Sequence, residues 1–249
     1  MFNDNGKKII ATIEARMTSS RLPGKVLMDL CGKPALQHIV ERLKRSSYID
    51  DVVVATTVNA TDNPVVELCN SIGCSYFRGS EEDVLLRVLL AAKNAEADVL
   101  VEITGDCPLV DWRIVDEAIE LFFSDSYDYA SNALESNYPS GFEVQVFPVT
   151  VLNEVNSISN DPLDHEHVSL YIYRHPEKYR LACLKAEGKL CRPEVEVTLD
   201  TMEDYQIISR IFNSLYPKNQ DFGLFDVIEL LEKRPELLDI NKNVKRKTV

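Results

Sequence analysis

The sequence predicts a doubly wound α/β fold on a mainly parallel sheet, with a small insertion in its second half. Three observations lead there. Nearly continuous, β-branched apolar runs, suited to strands buried on both faces, recur at 9–13, 51–57 and 98–104. Helical patterns separate them, at spacings that fit right-handed crossovers in a parallel sheet. No repeat, low-complexity run or flexible linker marks a boundary, so residues 1–249 read as one domain.

The run IIATI (9–13) is the first and central strand. A helix follows over 35–46, with Leu36, Ile39, Val40 and Leu43 at helical spacing and Pro34 tolerated in its first turn. DVVVATT (51–57) is the second strand; Asn63-Pro64 opens a helix that Gly73 ends, and 74–77 is a short third strand. Ser80 stands as a cap before Glu81, Glu82 and Asp83, acids suited to the first turn of a helix reaching Ala95. DVLVEIT (98–104) is the fourth strand, and Asp111 caps a helix through Phe123. Beyond it the pattern loosens. Strands are expected at 127–130 and, antiparallel, at 142–147; helices at 149–157, 165–173, 202–215 and 223–233; extended segments at 179–186 and 195–199; and a basic tail at 242–249.

Twenty-seven basic against 40 acidic side chains leave a net charge of −13, which argues against nucleic acid or an anionic membrane as the main partner. Six cysteines without CxxC pairs read as reduced thiols, not a disulfide frame or a zinc site. No stretch has the length and apolarity of a membrane span, and residues 1–8 are too polar for a signal peptide, so a soluble, cytoplasmic protein is expected.

In such an acidic chain, cations meant for a polyanion must be gathered locally. Arg16, Arg21 and Lys25 stand among Thr18, Ser19, Ser20 and Gly24 directly after the first strand, a mixture suited to a polyphosphate. Neither GxxxxGK[ST] nor GxGxxG occurs there. Two acids end strand-like runs, Asp106 after VEITG and Asp200 after VEVTL. Open α/β sheets bind ligands outside the carboxyl ends of their strands, and two such carboxylates suit Mg²⁺. Asp106 also fits a turn before Pro108, and Asp200 a helix cap with Glu203 in the first turn.

The order strand, Arg16, then SSRLPGK (19–25) resembles the nucleotide-binding loop of cytidylyltransferases that make CMP-activated sugar acids, within them the spore-coat-polysaccharide type related to the CMP-Kdo and acylneuraminate synthetases. TGDCPLVD (104–111) and LDTMED (199–204) are similar to that family's metal-binding and second acidic motifs. The resemblance implies the nucleotide-diphospho-sugar transferase variety of Rossmann-like sheet. It also implies Mg²⁺-dependent transfer of CMP from CTP to a 3-deoxy-2-ulosonic acid, with release of pyrophosphate, by a homodimer serving cell-surface polysaccharide or glycan assembly.

Arg16, Lys25, Asp106 and Asp200 then become the catalytic residues, and Asp106 and Asp200 the metal ligands. The nucleotide set adds Ala15, Arg21, Gly24, Arg78, Ser80 and Thr104, with 56–59 as a further segment able to meet cytosine and ribose. SGFEVQVF (140–147) is similar to a sugar-site segment and implicates Glu143 and Gln145; DHEHV (164–168) is similar to an Arg-Glu-His-Val stretch and implicates His167, a structural histidine being the other reading. Asn132 and Tyr138 are candidates for the same pocket or ordinary loop residues. Residues 131–186 thus supply sugar-site and dimer elements, and Tyr171, Tyr173 and Tyr179 suit either a dimer contact or an internal core. Glu14, Gln145 and His165 depart from the family's usual residues. A sugar- or polyol-phosphate acceptor, and a non-catalytic nucleotide-binding module, are the competing readings.

Overall fold

The computed structural model describes residues 6–135 and 137–246. The first five residues of the polar start and the last three of the basic tail lie outside the described residues. In chain order the elements are β1 (Ile9–Glu14), a β2 (Asp29–Leu30) and β3 (Lys33–Pro34) hairpin, α1 (Ala35–Leu43), β4 (Asp51–Thr57), α2 (Asn63–Ile72), β5 (Ser75–Gly79), α3 (Val84–Asn94), β6 (Val99–Thr104) and α4 (Trp112–Phe123). They continue as β7 (Tyr129–Ser131), β8 (Gln145–Pro148), α5 (Val149–Ile158), α6 (Pro162–Glu166), α7 (Leu170–Arg174), β9 (Leu181–Cys183), α8 (Met202–Leu215) and α9 (Leu224–Lys233).

Seven strands form one sheet in the order β5-β4-β1-β6-β8-β7-β9, and only β8 runs against the rest. The chain steps outward from β1 to β4 and β5, then returns across β1 to place β6 on its other side. Strand order therefore reverses between β1 and β6, where an open sheet leaves a crevice at its carboxyl edge. Because right-handed crossovers in opposite directions cover opposite faces, α1 and α2 pack on one face and α3 on the other. Alternation along β1 feeds both layers: Ile9, Ala11 and Ile13 join the core with α1, α2, α4, α8 and α9, and Ile10 joins the core with α3 and α5.

Several expectations need correction. The third strand is 75–79, two residues later at its end, and α3 is capped by Asp83, whose carboxylate accepts from Leu86 N; Ser80 lies one turn earlier. The helix expected over 165–173 is two short helices broken at His167, because Asp161 caps a start at Pro162 and five residues exhaust it. The strand expected from 142 begins at Gln145. Asn132 explains this: its Nδ2 donates to Phe142 O at 2.8 Å and its Oδ1 accepts from Val144 N at 2.9 Å, so those backbone groups are spent before the ladder starts. The 195–199 stretch makes a single bridge, Glu196 to Ser140, instead of a strand.

Asp111 caps α4, as expected, and its second oxygen also accepts from Leu224 N at 2.8 Å at the start of α9. Tyr179 is buried in the α3-side core, Tyr171 and Tyr173 are half-buried against it, and Tyr171 stacks on His175 at 3.9 Å.

Candidate active site

The crevice is built from backbone first. β1 and β6 run side by side, and Gly105 N donates to Glu14 O at 3.0 Å just past their ends. A Cβ on Gly105 would lie 2.3 Å from that oxygen, so only glycine admits this closure. The basic loop is folded back by Gly24 N donating to Met17 O at 2.9 Å, with Gly24 in the left-handed region at φ 74°. Met17 N in turn donates to the buried Asp62. These anchors hold Arg16, Arg21 and Lys25 over the crevice, and Ala15 is buried against β4, donating from its N–H to Ala55 O.

Four charged side chains then meet. Lys25 Nζ lies 2.8 Å from Asp106 Oδ2 and 2.9 Å from Asp200 Oδ1, and Arg21 lies 2.7 Å from Asp200 Oδ2. Thr104 Oγ1 donates to the remaining Asp106 oxygen at 2.6 Å, and Leu199 N donates to Asp106 O at 2.8 Å, tying the two acidic loops together. Burial pulls the Lys25 pKa down most strongly of any single influence, yet Asp106 and Asp200 together outweigh it and hold the ammonium above its ordinary value. Burial likewise pushes Asp106 up, and the Lys25 charge with hydrogen bonds from Lys25 and Thr104 reverses the sign, leaving it below the usual carboxylate range.

Two carboxylates already converging on one cation form a hard-oxygen donor pair that fits a divalent ion. Among the described residues no group of three or more His, Cys, Asp or Glu could hold a metal. A pair suffices where substrate phosphates and waters complete the shell, as with Mg²⁺.

Arg16 lies at the edge of this cluster, 3.4 Å from Glu81. Glu81 also accepts from Thr18 and Asn59, so it joins the loops after β1, β4 and β5. Sequence reasoning missed it, since the acidic run was assigned to a first helical turn that in fact begins after Asp83. Arg78 donates to Thr57 O and Asn59 O, both at 2.7 Å, and to Asn63 Oδ1 at 3.0 Å, clamping the turn after β4. Ser80 Oγ accepts from Asp83 N.

On the other side of Asp106, Asn132, Tyr138 and Glu143 come together around a cavity of about 180 Å³, with Asn137, Ser140 and Glu196. No lysine or arginine lines it. Burial raises the Glu143 pKa against the pull of backbone N–H groups, one of which, Gly141 N, donates to it at 2.7 Å. Gln145 and His167 do not line this cavity. Gln145 pairs across the sheet with Glu102 and Ser131, and His167 sits at the break between α6 and α7. His165 hydrogen-bonds to Asp83 at 2.8 Å and to Ser159 O at 3.1 Å, a structural link between α6 and α3.

Glu14 belongs to a different environment from the basic loop. It shares a sheet face with Glu102, two positions away through the pairing of Thr12 with Glu102. Burial first, then Glu102, raise Glu14 well above the carboxylate range against the opposing charge of Arg87, and burial raises Glu102 to about 7.

Comparison with known proteins agrees with this geometry. A cytidylyltransferase family model matches residues 10–244. The spore coat polysaccharide biosynthesis protein SpsF of Bacillus subtilis is 34% identical over 92% of this chain and 95% of its own length. A 3-deoxy-manno-octulosonate cytidylyltransferase of Trichlorobacter lovleyi is 37% identical over 46% of this chain and 45% of its own. The solved structure of a cytidylyltransferase from Leptospira borgpetersenii superposes with a TM-score of 0.89 at 31% identity, covering 97% of this chain and 100% of that one. With the family model spanning nearly the whole chain and the acidic and basic motifs meeting at the sheet's reversal point, the protein belongs to the cytidylyltransferase family.

Proposed function

We propose that this cytidylyltransferase moves CMP from CTP to a hydroxyl of a sugar acid of the 3-deoxy-2-ulosonic type, releasing pyrophosphate, in the assembly of a cell-surface polysaccharide or glycan. The observation that carries the reading is the meeting of Lys25, Arg21, Asp106 and Asp200 at the open ends of β1 and β6. Arg16, Arg21 and Lys25 bind the β- and γ-phosphates and stabilise the leaving pyrophosphate, with backbone N–H groups near Ala15 and Gly24 in support. Asp106, oriented by Thr104, and Asp200 would hold Mg²⁺. When bound, that ion supplies charge neutralisation at the phosphoryl oxygens. In-line attack by the sugar oxygen then needs positioning more than covalent help from the protein. Arg78 and Ser80 border the ribose and base by shaping the loops after β4 and β5.

Asn132, Tyr138 and Glu143 offer donors and acceptors to sugar hydroxyls. The cavity lining holds no lysine or arginine, so an acid group on the acceptor, carboxylate or phosphate, would have to meet its cations outside that cavity. The working unit we take to be a cytoplasmic homodimer of single-domain chains, with residues 131–186 serving both the acceptor side and the dimer contact. No helix among the described residues is long and apolar enough to cross a membrane. The test is pyrophosphate release with Mg²⁺, each of CTP, UTP, GTP and ATP being offered with ulosonic acids, neutral and amino sugars, and sugar phosphates. Release with CTP and a keto-acid sugar is expected; release only with a phosphorylated acceptor, or from no nucleotide, would overturn the reading.

A further inference from the structure

Asp200 is held by a chain of contacts that begins 46 residues later in the sequence. Immediately after it, Thr201 caps α8 in a reciprocal box: Asp204 N donates to Thr201 Oγ1 at 3.3 Å, and Thr201 N donates to Asp204 Oδ2 at 2.9 Å. Asp204 is wholly buried, more than a helix start requires, and a carboxylate without water must find donors in the protein. It finds them in the C-terminal segment. Arg246 spans both of its oxygens, at 2.9 Å to Oδ2 and 2.8 Å to Oδ1, and Asn241 Nδ2 adds a bond of 2.8 Å to Oδ1. The fork-on-fork geometry fixes the carboxylate in rotation as well as position.

The same two residues reach the acceptor side. Asn241 Nδ2 also donates to Glu196 O at 2.8 Å, and Arg246 lies 3.6 Å from the Glu196 carboxylate. Glu196 lines the cavity and pairs with Ser140. Arg246 is paired with Asp204 and Glu196, and the Asp200 carboxylate is close enough to add to the charges that hold its guanidinium protonated.

We propose that Arg246 is a positioning residue for nucleotidyl transfer: through Asp204 and Thr201 it sets where the Asp200 carboxylate stands, and through Glu196 it ties that acid to the wall of the acceptor cavity. The inference rests on the reading of Asp200 as a metal-holding acid. Outer contacts of this kind commonly change metal affinity by about 10- to 100-fold when removed.

The test needs no acceptor. Mn²⁺ is titrated into protein with saturating CTP, with protein-bound ion followed by water-proton relaxation, and CTP binding without metal is measured separately, at a temperature where each variant is folded. Arg246→Ala should weaken the Mn²⁺ site about tenfold and leave metal-free CTP binding within about twofold, and Arg246→Lys should recover part of the loss. Asn241→Ala, a milder change at the same carboxylate, should weaken Mn²⁺ about two- to threefold and covers the case in which Arg246→Ala does not fold. Unchanged Mn²⁺ binding in both Arg246→Ala and Asn241→Ala, with only lower melting temperatures, would reduce Arg246 to a structural role. Equal loss of metal-free CTP binding would make it a direct nucleotide contact, contrary to the proposal. Asp200→Ala should abolish the site; if it does not, the metal reading itself fails, which unchanged Mn²⁺ binding in the Arg246 and Asn241 variants alone would not imply.

Discussion

The two halves of the sheet solve the problem of holding polar groups in different ways. From β1 to β6, regular parallel strands and crossover helices satisfy the backbone, and charged side chains are left to gather at the strand ends, as Lys25 and Asp106 do where Asp200 reaches them from the second half. From β7 onward the strands are short, one is reversed, and buried side chains replace ladder bonds, with Asn132 holding Phe142 and Val144 and Asp204 holding Thr201, Asn241 and Arg246. Chemistry in the first half is therefore separable from stability, whereas in the second half the two are entangled.

That contrast can be broken by substitution. On the proposed role of Asp106, Asp106→Asn should lower turnover by on the order of 10²–10³-fold, with a smaller fall in melting temperature from the lost pairing with Lys25, which keeps Asp200 as a partner. Pyrophosphate release and a melting curve on one preparation check both halves of this statement. Asn132→Leu should lower both together, costing roughly 3 kcal/mol of stability by orphaning Phe142 O and Val144 N, as read by denaturant unfolding, and weakening turnover because the same residue lines the acceptor cavity.

Between the halves, on the α3 face, Glu102 sharpens the comparison through pH. Its ordinary pKa near 4.5 rises to about 7 in the fold. The folded chain then binds more protons than the unfolded chain between those values, so stability falls as pH rises through that window. Glu102→Gln should flatten the slope and add roughly 2 kcal/mol at pH 8. A smaller effect is expected at His165, whose pKa is raised chiefly by its hydrogen bond to Asp83 against the pull of burial. His165→Gln should cost about 1 kcal/mol below pH 6.5, with the difference from the parent fading as pH rises through the folded histidine's raised value.

Much of the first half was legible because its signals are local. A buried run followed by arginines, hydroxyls and glycine announces a strand end and a basic loop, and Asp106 and Asp111 stand at their expected ends of the same turn. Asp200 was legible through the acidic motif around it. Glu81, Asp204 and Arg246 were not assigned site roles, because what they do depends on partners 22 to 65 and 37 to 42 residues away in the chain. The late start of β8 escaped for the same reason: alternation from 142 to 147 is real, but the Asn132 amide takes the backbone that a strand would use. Glu102 stood in plain sight as an acid inside VLVEIT, a signal that a buried run carries a polar obligation.

The central claim is that Lys25 stands between two carboxylates at the point where a cation and the CTP phosphates are received together. Calorimetry of CTP and of Mn²⁺, each alone and in combination, on the parent and on Lys25→Met tests it most directly. In the parent, Lys25 and Arg21 occupy the carboxylates, so each ligand should bind weakly alone and about tenfold or more tightly in the presence of the other. Lys25→Met should bind Mn²⁺ alone more tightly than the parent and lose CTP affinity. Parent-like CTP binding by Lys25→Met, with no gain for Mn²⁺, would contradict the account.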